Sequence, residues 1–359
     1  MAEETDNTAK SPPLRVGLVG LGRAALLDHL PALKSLPGLY QVTAACDLLK
    51  ERRDIVERDF PDARMYRRVE DMLDDQEMDV VDIALPTSAH VDAALSSLRR
   101  AKWTVLESPI AVTHGDAKSL LAASTRAGGR LVAYTPEMFS PDFIIARSAA
   151  ADHLLGDVFE VRVRRQDYVR RDDWQSIGRC DGGCAWYAGP GAVLQAMALL
   201  GARPTQLWSE LRRVVSLGDA EDFAHIVLKT RAEATADIEI CGAHFAPPEP
   251  SFTIRGSRGA FSVQPGAELG AMHVVDPAFA FPRRRSSVRT PPLDDMHERI
   301  PAMDMPVSLP PGAAHGPAAF WRALADTMRS AAPFPVALED VVEAVRYLQI
   351  VKSSSPLVK

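Results

Sequence analysis

Short apolar runs alternate with longer amphipathic stretches along the first third of the chain. The apolar runs predict strands, and the amphipathic stretches predict helices between them. This alternation is typical of a parallel sheet with helices on both faces. The predicted strands are 14–19, 41–46, 79–84, 103–106 and 130–134, and the predicted helices lie near 23–35, 48–58, 88–100 and 115–127.

The hydrophobic period changes after about residue 137. Apolar and polar residues then alternate one by one, as in 159–164 and 234–240, which is typical of an antiparallel sheet with one buried face. Further strands are expected at 205–213, 224–230, 251–256 and 259–263. The stretch 264–317 is rich in proline, and the run of three arginines at 283–285 within it is expected to be a solvated loop. Two helices, near 318–330 and 338–352, are predicted to close the chain.

The first predicted strand leads directly into Gly20-x-Gly22-x-x-Ala25. The two glycines permit a tight turn and the close approach of a pyrophosphate, and the small Ala25 lets the next helix pack against the strand. The N-terminus of that helix offers free N–H groups to phosphate. The motif therefore predicts a dinucleotide site in a Rossmann domain.

Asp47 follows the second predicted strand, where this fingerprint places the acidic partner of a ribose 2′-hydroxyl. It favours NAD as the cofactor, while Lys50, Arg52 and Arg53 nearby leave NADP open. The predicted fold class is therefore α/β plus α+β, a Rossmann domain followed by an open, mostly antiparallel sheet domain. The predicted boundaries are a flexible tail at 1–13, a nucleotide domain at 14–137 and a C-terminal substrate domain at 138–359.

Length, net charge and cysteine content limit the kinds of protein that this chain can be. A chain of 359 residues is long enough for two domains with their own cores, and its net charge of −6 gives no general attraction to nucleic acid or anionic membranes. We expect a cytoplasmic protein with a small-molecule substrate, because no apolar run reaches membrane-spanning length and no signal-peptide core is present. The four cysteines suit a reducing compartment, and the pair Cys180 and Cys184 lacks further ligands at a metal-binding spacing, so no metal is expected.

Several longer motifs add to this picture in a characteristic order. They are GLGRAA at 20–25, DVVDIALPTSAH at 79–90, VLESPIAVT at 105–113, GG at 182–183 and GDAEDFAHIVL at 218–228. In this order and spacing, the chain resembles the Gfo/Idh/MocA oxidoreductase family. The resemblance implies hydride transfer between NAD(P) and a sugar or polyol carbon, and a homodimer or homotetramer formed through the C-terminal sheet.

The resemblance also implies which residues form the site. Glu107 keeps its family position and is expected at the nicotinamide ribose. The expected cofactor-binding residues are Gly20, Leu21, Gly22, Arg23, Ala24, Asp47, Pro86, Thr87, His90, Glu107 and Pro109. The expected substrate-binding residues are Glu137, Tyr168, Trp174, Trp186 and Tyr187. His90 has a second interpretation, as a residue that begins a helix.

Two motifs depart from the family pattern. The family's Glu-Lys-Pro falls on Glu107-Ser108-Pro109, so serine replaces the lysine. The second motif falls on 182–194, where Tyr187, Gly191 and Leu194 occupy the acidic, histidine and final aspartate positions. The lysine, histidine and acidic groups that handle protons in the family are therefore absent, which indicates a degenerate or altered active site.

Hydride transfer still needs a group that gives or takes a proton. The unassisted Ser108 hydroxyl is too weak an acid, and Tyr187 is the natural replacement, with a pKa that a nicotinamide ring or an arginine would lower. Tyr187 and Trp186 could instead simply fill the volume of the lost polar groups. Glu137 is a second acid or base candidate, or a solvated loop carboxylate. The catalytic candidates are thus Tyr187, Glu107 and Ser108.

Three functions remain open at this point. The first is an atypical NAD(P)-binding oxidoreductase acting on a small sugar-like or secondary-metabolite substrate. The second is a non-redox enzyme, such as a lyase, cyclase or epimerase, in the same cleft. The third is a non-catalytic regulatory protein that senses a dinucleotide or a sugar.

Overall fold

The N-terminal half of the molecule is built on a parallel sheet. The computed structural model describes residues 11–75, 77–100, 102–282 and 299–354, and within these ranges the sheet has six strands in the order β3-β2-β1-β4-β5-β6. The strands are β1 (Leu14–Val19), β2 (Tyr40–Cys46), β3 (Arg64–Tyr66), β4 (Val80–Ile83), β5 (Trp103–Leu106) and β6 (Leu131–Ala133). The order reverses between β1 and β4, and ligands of such sheets bind beyond the carboxyl ends of the strands at this point.

Helices cover this sheet, and the predicted ones are confirmed to within a few residues. The first begins as a π-helix at Ala25–His29 and continues as α1 (Leu30–Lys34). The others are α2 (Lys50–Asp59), α3 (Val69–Asp75), a 3₁₀-helix at Thr87–Ala89, α4 (His90–Arg99) and α5 (His114–Arg126). The sequence did not indicate β3 and α3, because β3 has only three residues and α3 is short and rich in acidic residues.

The second sheet has eight strands within the described ranges, in the order β14-β13-β12-β11-β7-β10-β9-β8. Among these strands only β7 and β10 pair in parallel, so the predicted mostly antiparallel sheet is confirmed. The strands are β7 (Val158–Gln166), β8 (Gln206–Arg212), β9 (Phe223–Lys229), β10 (Thr235–Cys241), β11 (Phe252–Gly256), β12 (Gly259–Val263), β13 (Leu269–Val275) and β14 (Ala302–Ser308). In β9 and β10 every second residue is buried, as the alternation predicted.

The Pro-rich stretch 264–317 contains two strands that the sequence did not indicate, β13 and β14. These strands form the edge of the second sheet, and β14 is mostly exposed, so its sequence carries no pattern of buried positions. The arginine run at 283–285 and residues 1–10 of the expected tail lie outside the described residues.

The remaining α-helices follow the first sheet along the chain. They are α6 (Pro141–Ala151), α7 (Cys184–Tyr187), α8 (Gly189–Leu200), α9 (Gly316–Ser330) and α10 (Leu338–Ser354). The first three were not predicted. Helix α8 is buried around most of its circumference, so it has no polar face that would reveal a helical period. Within the described residues, no helix is long and apolar enough to cross a membrane.

Helix α9 packs into the core of the N-terminal sheet although it comes late in the chain. Its Phe320 and Trp321 are fully buried with residues of β1 and β2, and the Tyr40 hydroxyl donates to the Trp321 carbonyl at 2.6 Å. The last part of the chain therefore helps to hold together the domain that carries the glycine motif.

Candidate active site

A cavity of about 560 Å³ lies between the strand ends of the first sheet and the segment that precedes α7. It collects residues from β1, β2, β4 and β5 and from the second domain, which are far apart in the sequence. The predicted residues that line it are Gly20, Gly22, Arg23, Ala24, Asp47, Pro86, Thr87, His90, Glu107, Ser108, Pro109, Trp174, Trp186 and Tyr187.

The glycine turn fits a pyrophosphate. Gly20 has a φ of +84°, and a Cβ there would lie 2.7 Å from the Ala84 carbonyl oxygen, so only glycine suits this position. A Cβ on Gly22 would meet no atom within 4 Å. Because Gly22 also lines the cavity, this open space lets a phosphate group come close to the backbone.

Asp47 holds the turn and faces the cavity. Its Oδ2 accepts a hydrogen bond from the Leu21 backbone N–H at 2.8 Å, and its Oδ1 accepts one from Leu49 at 2.8 Å. Leu21 itself is fully buried, so it serves the site through this bond rather than by contact with a ligand. The Arg52 guanidinium lies 3.6 Å from Asp47 Oδ2 and also lines the cavity. The carboxylate suits a ribose hydroxyl, and the guanidinium lies where a 2′-phosphate would need a cation.

His90 joins the loops that follow β4 and β5. It is buried, and its two ring nitrogens lie 2.9 Å from the Pro109 carbonyl oxygen and 2.8 Å from that of Leu85. Burial lowers its pKa, against the effect of the two carbonyls. These contacts give His90 a structural role at the start of α4. The Ser108–Pro109 peptide bond beside it is cis.

The Ser108 hydroxyl is bound to the backbone. Its Oγ donates to the Tyr134 carbonyl oxygen at 2.9 Å. The proton of this hydroxyl is therefore already engaged with the backbone, although Ser108 lines the cavity.

The surroundings of Tyr187 differ from expectation. An arginine is present, since the Arg171 guanidinium lies 4.6 Å from the centre of the Tyr187 ring. Burial raises the pKa of Tyr187 to about 12, and it outweighs Arg171, which lowers the pKa as expected. The phenol is thus protonated at neutral pH and can donate a hydrogen bond into the cavity.

Glu137 lies next to Gly191, the position that the family resemblance aligns with a histidine. A Cβ on Gly191 would lie 3.1 Å from both Cγ and Cδ of Glu137, so this carboxyl takes up the space of a side chain at 191. Glu137 is not among the residues that line the cavity. It stays accessible to solvent, but the protein around it displaces enough water to raise its pKa to about 7, and Glu107 adds to this effect.

A buried group that the sequence did not reveal lies directly behind Glu107. His29 has no exposed surface, and its Nδ1 lies 2.9 Å from Asp82 Oδ2 while its Nε2 lies 3.1 Å from Glu107 Oε2. Burial alone would lower the pKa of His29, but the two carboxylates outweigh burial and raise it to about 10. The group therefore consists of an imidazolium between two carboxylates.

The family follows from two matches along the chain. Residues 14–135 match the model of the Gfo/Idh/MocA oxidoreductases described as an NAD-binding Rossmann fold, and residues 143–262 match the C-terminal domain of the same family. The chain belongs to the Gfo/Idh/MocA oxidoreductase family. Its N-terminal domain is accordingly an NAD-binding Rossmann domain, as the glycine motif predicted.

Relatives of this family cover most of the chain. The scyllo-inositol 2-dehydrogenase (NADP(+)) of Bacillus subtilis is 20% identical over 352 residues, which is 96% of this chain and 95% of the relative. An uncharacterised oxidoreductase of Schizosaccharomyces pombe is 26% identical over 258 residues, or 69% of this chain and 70% of the relative.

Solved structures show the same fold. An NAD-binding protein from Listeria innocua has a TM-score of 0.79 at 19% identity, with 96% of this chain and 98% of that chain covered. An oxidoreductase from Agrobacterium radiobacter, solved with NAD+, L-tartaric acid and magnesium, has a TM-score of 0.76 at 18% identity, with 95% and 96% covered.

One residue that was expected to bind substrate lies outside the cavity lining, and several lining residues were not expected. Tyr168 does not line the cavity; its ring lies 4.1 Å from the ring of Phe245. Lining residues that were not predicted include Asp28, Arg171, Gln175 and Asp181, and the cavity is also lined by Asp173, a candidate substrate contact, and by Arg52, expected near the cofactor. Across the described part of the chain, no group of three or more His, Cys, Asp or Glu residues could hold a metal ion, and Cys180 and Cys184 are free thiols.

Proposed function

We propose that this protein transfers hydride between NAD(H) and a carbon atom of a small, polar, sugar-like molecule, in the direction of carbonyl reduction at neutral pH. The observation that carries the proposal is one continuous cavity that joins Asp47 and the glycine turn to Arg171, Trp174 and Tyr187 of the second domain. Its volume of about 560 Å³ is in the range of small-molecule sites.

The strand order divides the cavity into two parts. In a doubly wound sheet of this order, each half binds one mononucleotide of a dinucleotide. The half that contains β2 supports the adenosine through Asp47, and the half that contains β4 and β5 supports the nicotinamide through Thr87, Glu107 and Pro109. When bound, NAD(H) supplies or accepts the hydride, and the aromatic and charged residues of the second domain would hold the substrate.

The protonation state of Tyr187 favours reduction. When a carbonyl accepts hydride it becomes an alkoxide, which must gain one proton to form the alcohol. Tyr187 lines the cavity and its raised pKa keeps it protonated at neutral pH, so it can supply this proton. The reverse reaction would need the phenolate, which is scarce at neutral pH. Glu137, with a pKa of about 7, is a second group that titrates near neutrality, although it does not line the cavity.

The absence of the family's proton-handling side chains supports a second candidate. Ser108, Gly191 and Leu194 replace a lysine, a histidine and an aspartate. A lyase, cyclase or epimerase, or a protein that senses a dinucleotide or a sugar, would tolerate these losses in the same cavity.

One set of measurements separates these functions. We would titrate the purified protein with NADH and NADPH by fluorescence, assay co-purified nucleotide after denaturation, and screen keto sugars and polyols for cofactor turnover. Saturable binding with NADH consumption supports the proposal. Product without net NADH consumption supports the non-redox enzyme, and binding without any product supports the sensor. The absence of any nucleotide binding contradicts the proposed hydride transfer.

The cofactor choice has its own test in Asp47→Ala. We expect NADH affinity to fall about tenfold, because the ribose hydroxyl loses its carboxylate partner, while NADPH affinity falls less. Asp47→Asn, which keeps the size of the side chain, is the matched control for the loss of charge. Equal losses for the two nucleotides would show that Asp47 only supports the turn through Leu21.

A further inference from the structure

We propose that Glu107 makes the site bind the oxidised cofactor more tightly than the reduced one, and that buried His29 and Asp82 are positioning residues that hold its carboxylate at the nicotinamide end of the cavity. This inference rests on the proposed hydride transfer and specifies its direction.

Glu107 is fixed at both its backbone and its side chain. Its backbone N–H donates to the Ile83 carbonyl at 2.9 Å, which ties it to the end of β4. Its side chain is 26% exposed and lines the cavity. Oε2 is bound by His29, whereas within the described residues Oε1 has no hydrogen-bond partner in the protein. One oxygen of the carboxylate is therefore available at the cavity surface.

His29 and Asp82 lie behind Glu107 and form a rigid pair, which we call the clamp. Asp82 is 1% exposed and comes from the central strand β4, and His29 comes from the π-helix that follows β1. The His29 ring lies 3.7 Å from the Tyr134 ring, centre to centre, which leaves it no room to turn. The group of Asp82, Glu107 and protonated His29 contains two carboxylates and one imidazolium, so it carries one net negative charge.

The charge of this group is not balanced by a lysine. In the family's Glu-Lys-Pro motif a cation follows the glutamate directly, but here that position is the neutral Ser108, whose hydroxyl bonds to a backbone carbonyl. Asp28, a further carboxylate, lines the same cavity. Three arginines line the cavity within the described residues: Arg23 in the glycine turn, Arg52 beside Asp47 and Arg171 stacked on Tyr187. None of them forms an ion pair with Glu107 or Asp28, so the negative charge beside β4 and β5 is not neutralised by direct contact.

A fixed negative charge distinguishes the two states of the cofactor. The nicotinamide ring is positively charged in NAD+ and neutral in NADH, so a carboxylate nearby stabilises only the oxidised form. A protein that binds NAD+ more tightly than NADH makes bound NADH a stronger hydride donor than free NADH, because a ligand shifts an equilibrium by its differential affinity. The exchange of lysine for serine thus favours reduction of the substrate.

The test compares dissociation constants and needs no substrate. We would measure NADH binding by fluorescence and NAD+ binding by calorimetry, for the wild type and for Glu107→Gln. The glutamine keeps the size of the side chain and can still accept from His29. We expect the affinity for NAD+ to fall about tenfold and that for NADH by less than about twofold.

Two further variants control the result. Asp47→Asn removes a carboxylate at the adenosine end, where the two cofactor forms are identical, and should weaken both equally. Ser108→Lys restores the cation of the family motif and should weaken NAD+ relative to NADH about tenfold without touching Glu107. Thermal unfolding checks that each variant is folded.

The positioning role of His29 is tested by the pair His29→Gln and Asp82→Asn, introduced together so that no buried charge loses its partner. We expect the preference for NAD+ to shrink while the affinity for NADH stays the same, whereas a purely structural role would weaken both. If the joint variant keeps the preference for NAD+, Glu107 does not depend on His29 and Asp82 for its position.

The outcomes separate this inference from the proposed function. If the wild type binds neither cofactor form, the proposed function fails. If both forms bind but Glu107→Gln changes their affinities equally or not at all, the inference is overturned and NAD-dependent hydride transfer stands.

Discussion

At the residue scale, Glu137 packs against Gly191. The glycine has no side chain, and Cγ and Cδ of Glu137 lie 3.1 Å from where its Cβ would be. The protein around Glu137 raises its pKa to about 7, which is close to the range in which a histidine titrates. This region therefore holds a group that titrates near neutrality, although Glu137 does not line the cavity.

Replacement of Glu137 should change the pH dependence of the reaction. In the direction of carbonyl reduction, kcat/KM of the wild type should fall as the pH rises through about 7, because the protonated form of Glu137 is lost. In Glu137→Gln we expect this limb to disappear and the rate to drop at least about tenfold, with NADH affinity unchanged. Gly191→Ala, whose methyl group would press on Glu137, is the companion variant. A pH profile in Glu137→Gln that matches the wild type would exclude Glu137.

Replacement of Tyr187 tests the proton donor itself. Tyr187→Phe should reduce turnover by about 10²-fold, because the hydroxyl that supplies the proton is gone, while NADH affinity barely changes. Tyr168→Phe removes the same hydroxyl at a position outside the cavity and should have no effect. An unchanged rate in Tyr187→Phe would leave Tyr187 as a packing residue.

The sequence indicated some site residues much better than others. The glycine turn and Asp47 were predictable because local backbone geometry demands those residue types next to a strand. His29 was not, because it meets Asp82 and Glu107 only through the adjacency of β1, β4 and β5. An aspartate within the apolar strand 79–84 was the one available signal. The pKa of Tyr187 was misjudged because burial cannot be read from a motif.

At the element scale, the π-helix Ala25–His29 brings His29 into contact with the carboxylates of Asp82 and Glu107. His29 is at its last residue and points from there toward the ends of β4 and β5. Sequence patterns predicted a helix over this range but not its wider turn, since the apolar spacing does not distinguish one extra residue. Helix α8 was missed for a related reason, because burial on nearly all sides removes its polar face.

This group should make the fold sensitive to alkaline pH. The pKa of His29 is raised from 6.5 to about 10, so its contribution to stability is complete below pH 6.5 and is lost as the pH rises through about 10. The free energy of unfolding in urea should therefore fall between pH 7 and pH 10 in the wild type. The joint variant His29→Gln and Asp82→Asn should lack this part of the decline. Parallel curves for the two proteins would contradict the assignment.

At the scale of the whole molecule, the last helix supports the active site. Lys352 of α10 donates from Nζ to the Gly182 carbonyl at 2.9 Å and to Glu221 Oε2 at 2.7 Å. Glu221 is 4% exposed, and a Cβ on Gly183 would overlap its carboxylate. Since Gly182 and Gly183 line the cavity, the C-terminal helix fixes a part of the site that is far away in the sequence. No local pattern could have indicated this contact.

Removal of this lysine should destabilise the protein strongly. In Lys352→Met, Glu221 remains buried without its partner, and we expect a loss of about 3 kcal/mol in the free energy of unfolding. Adding Glu221→Gln should recover much of this loss, because no buried charge is then unpaired. Urea unfolding of the four proteins in this cycle measures the coupling. Additive losses would show that the two side chains act independently.

The contact between positions 137 and 191 also limits how this protein can evolve. A side chain at 191 would require Glu137 to shift by a few tenths of an ångström, and a smaller residue at 137 removes the group that titrates near neutrality. The two positions therefore form an epistatic pair, in which the effect of a change at one depends on the residue at the other.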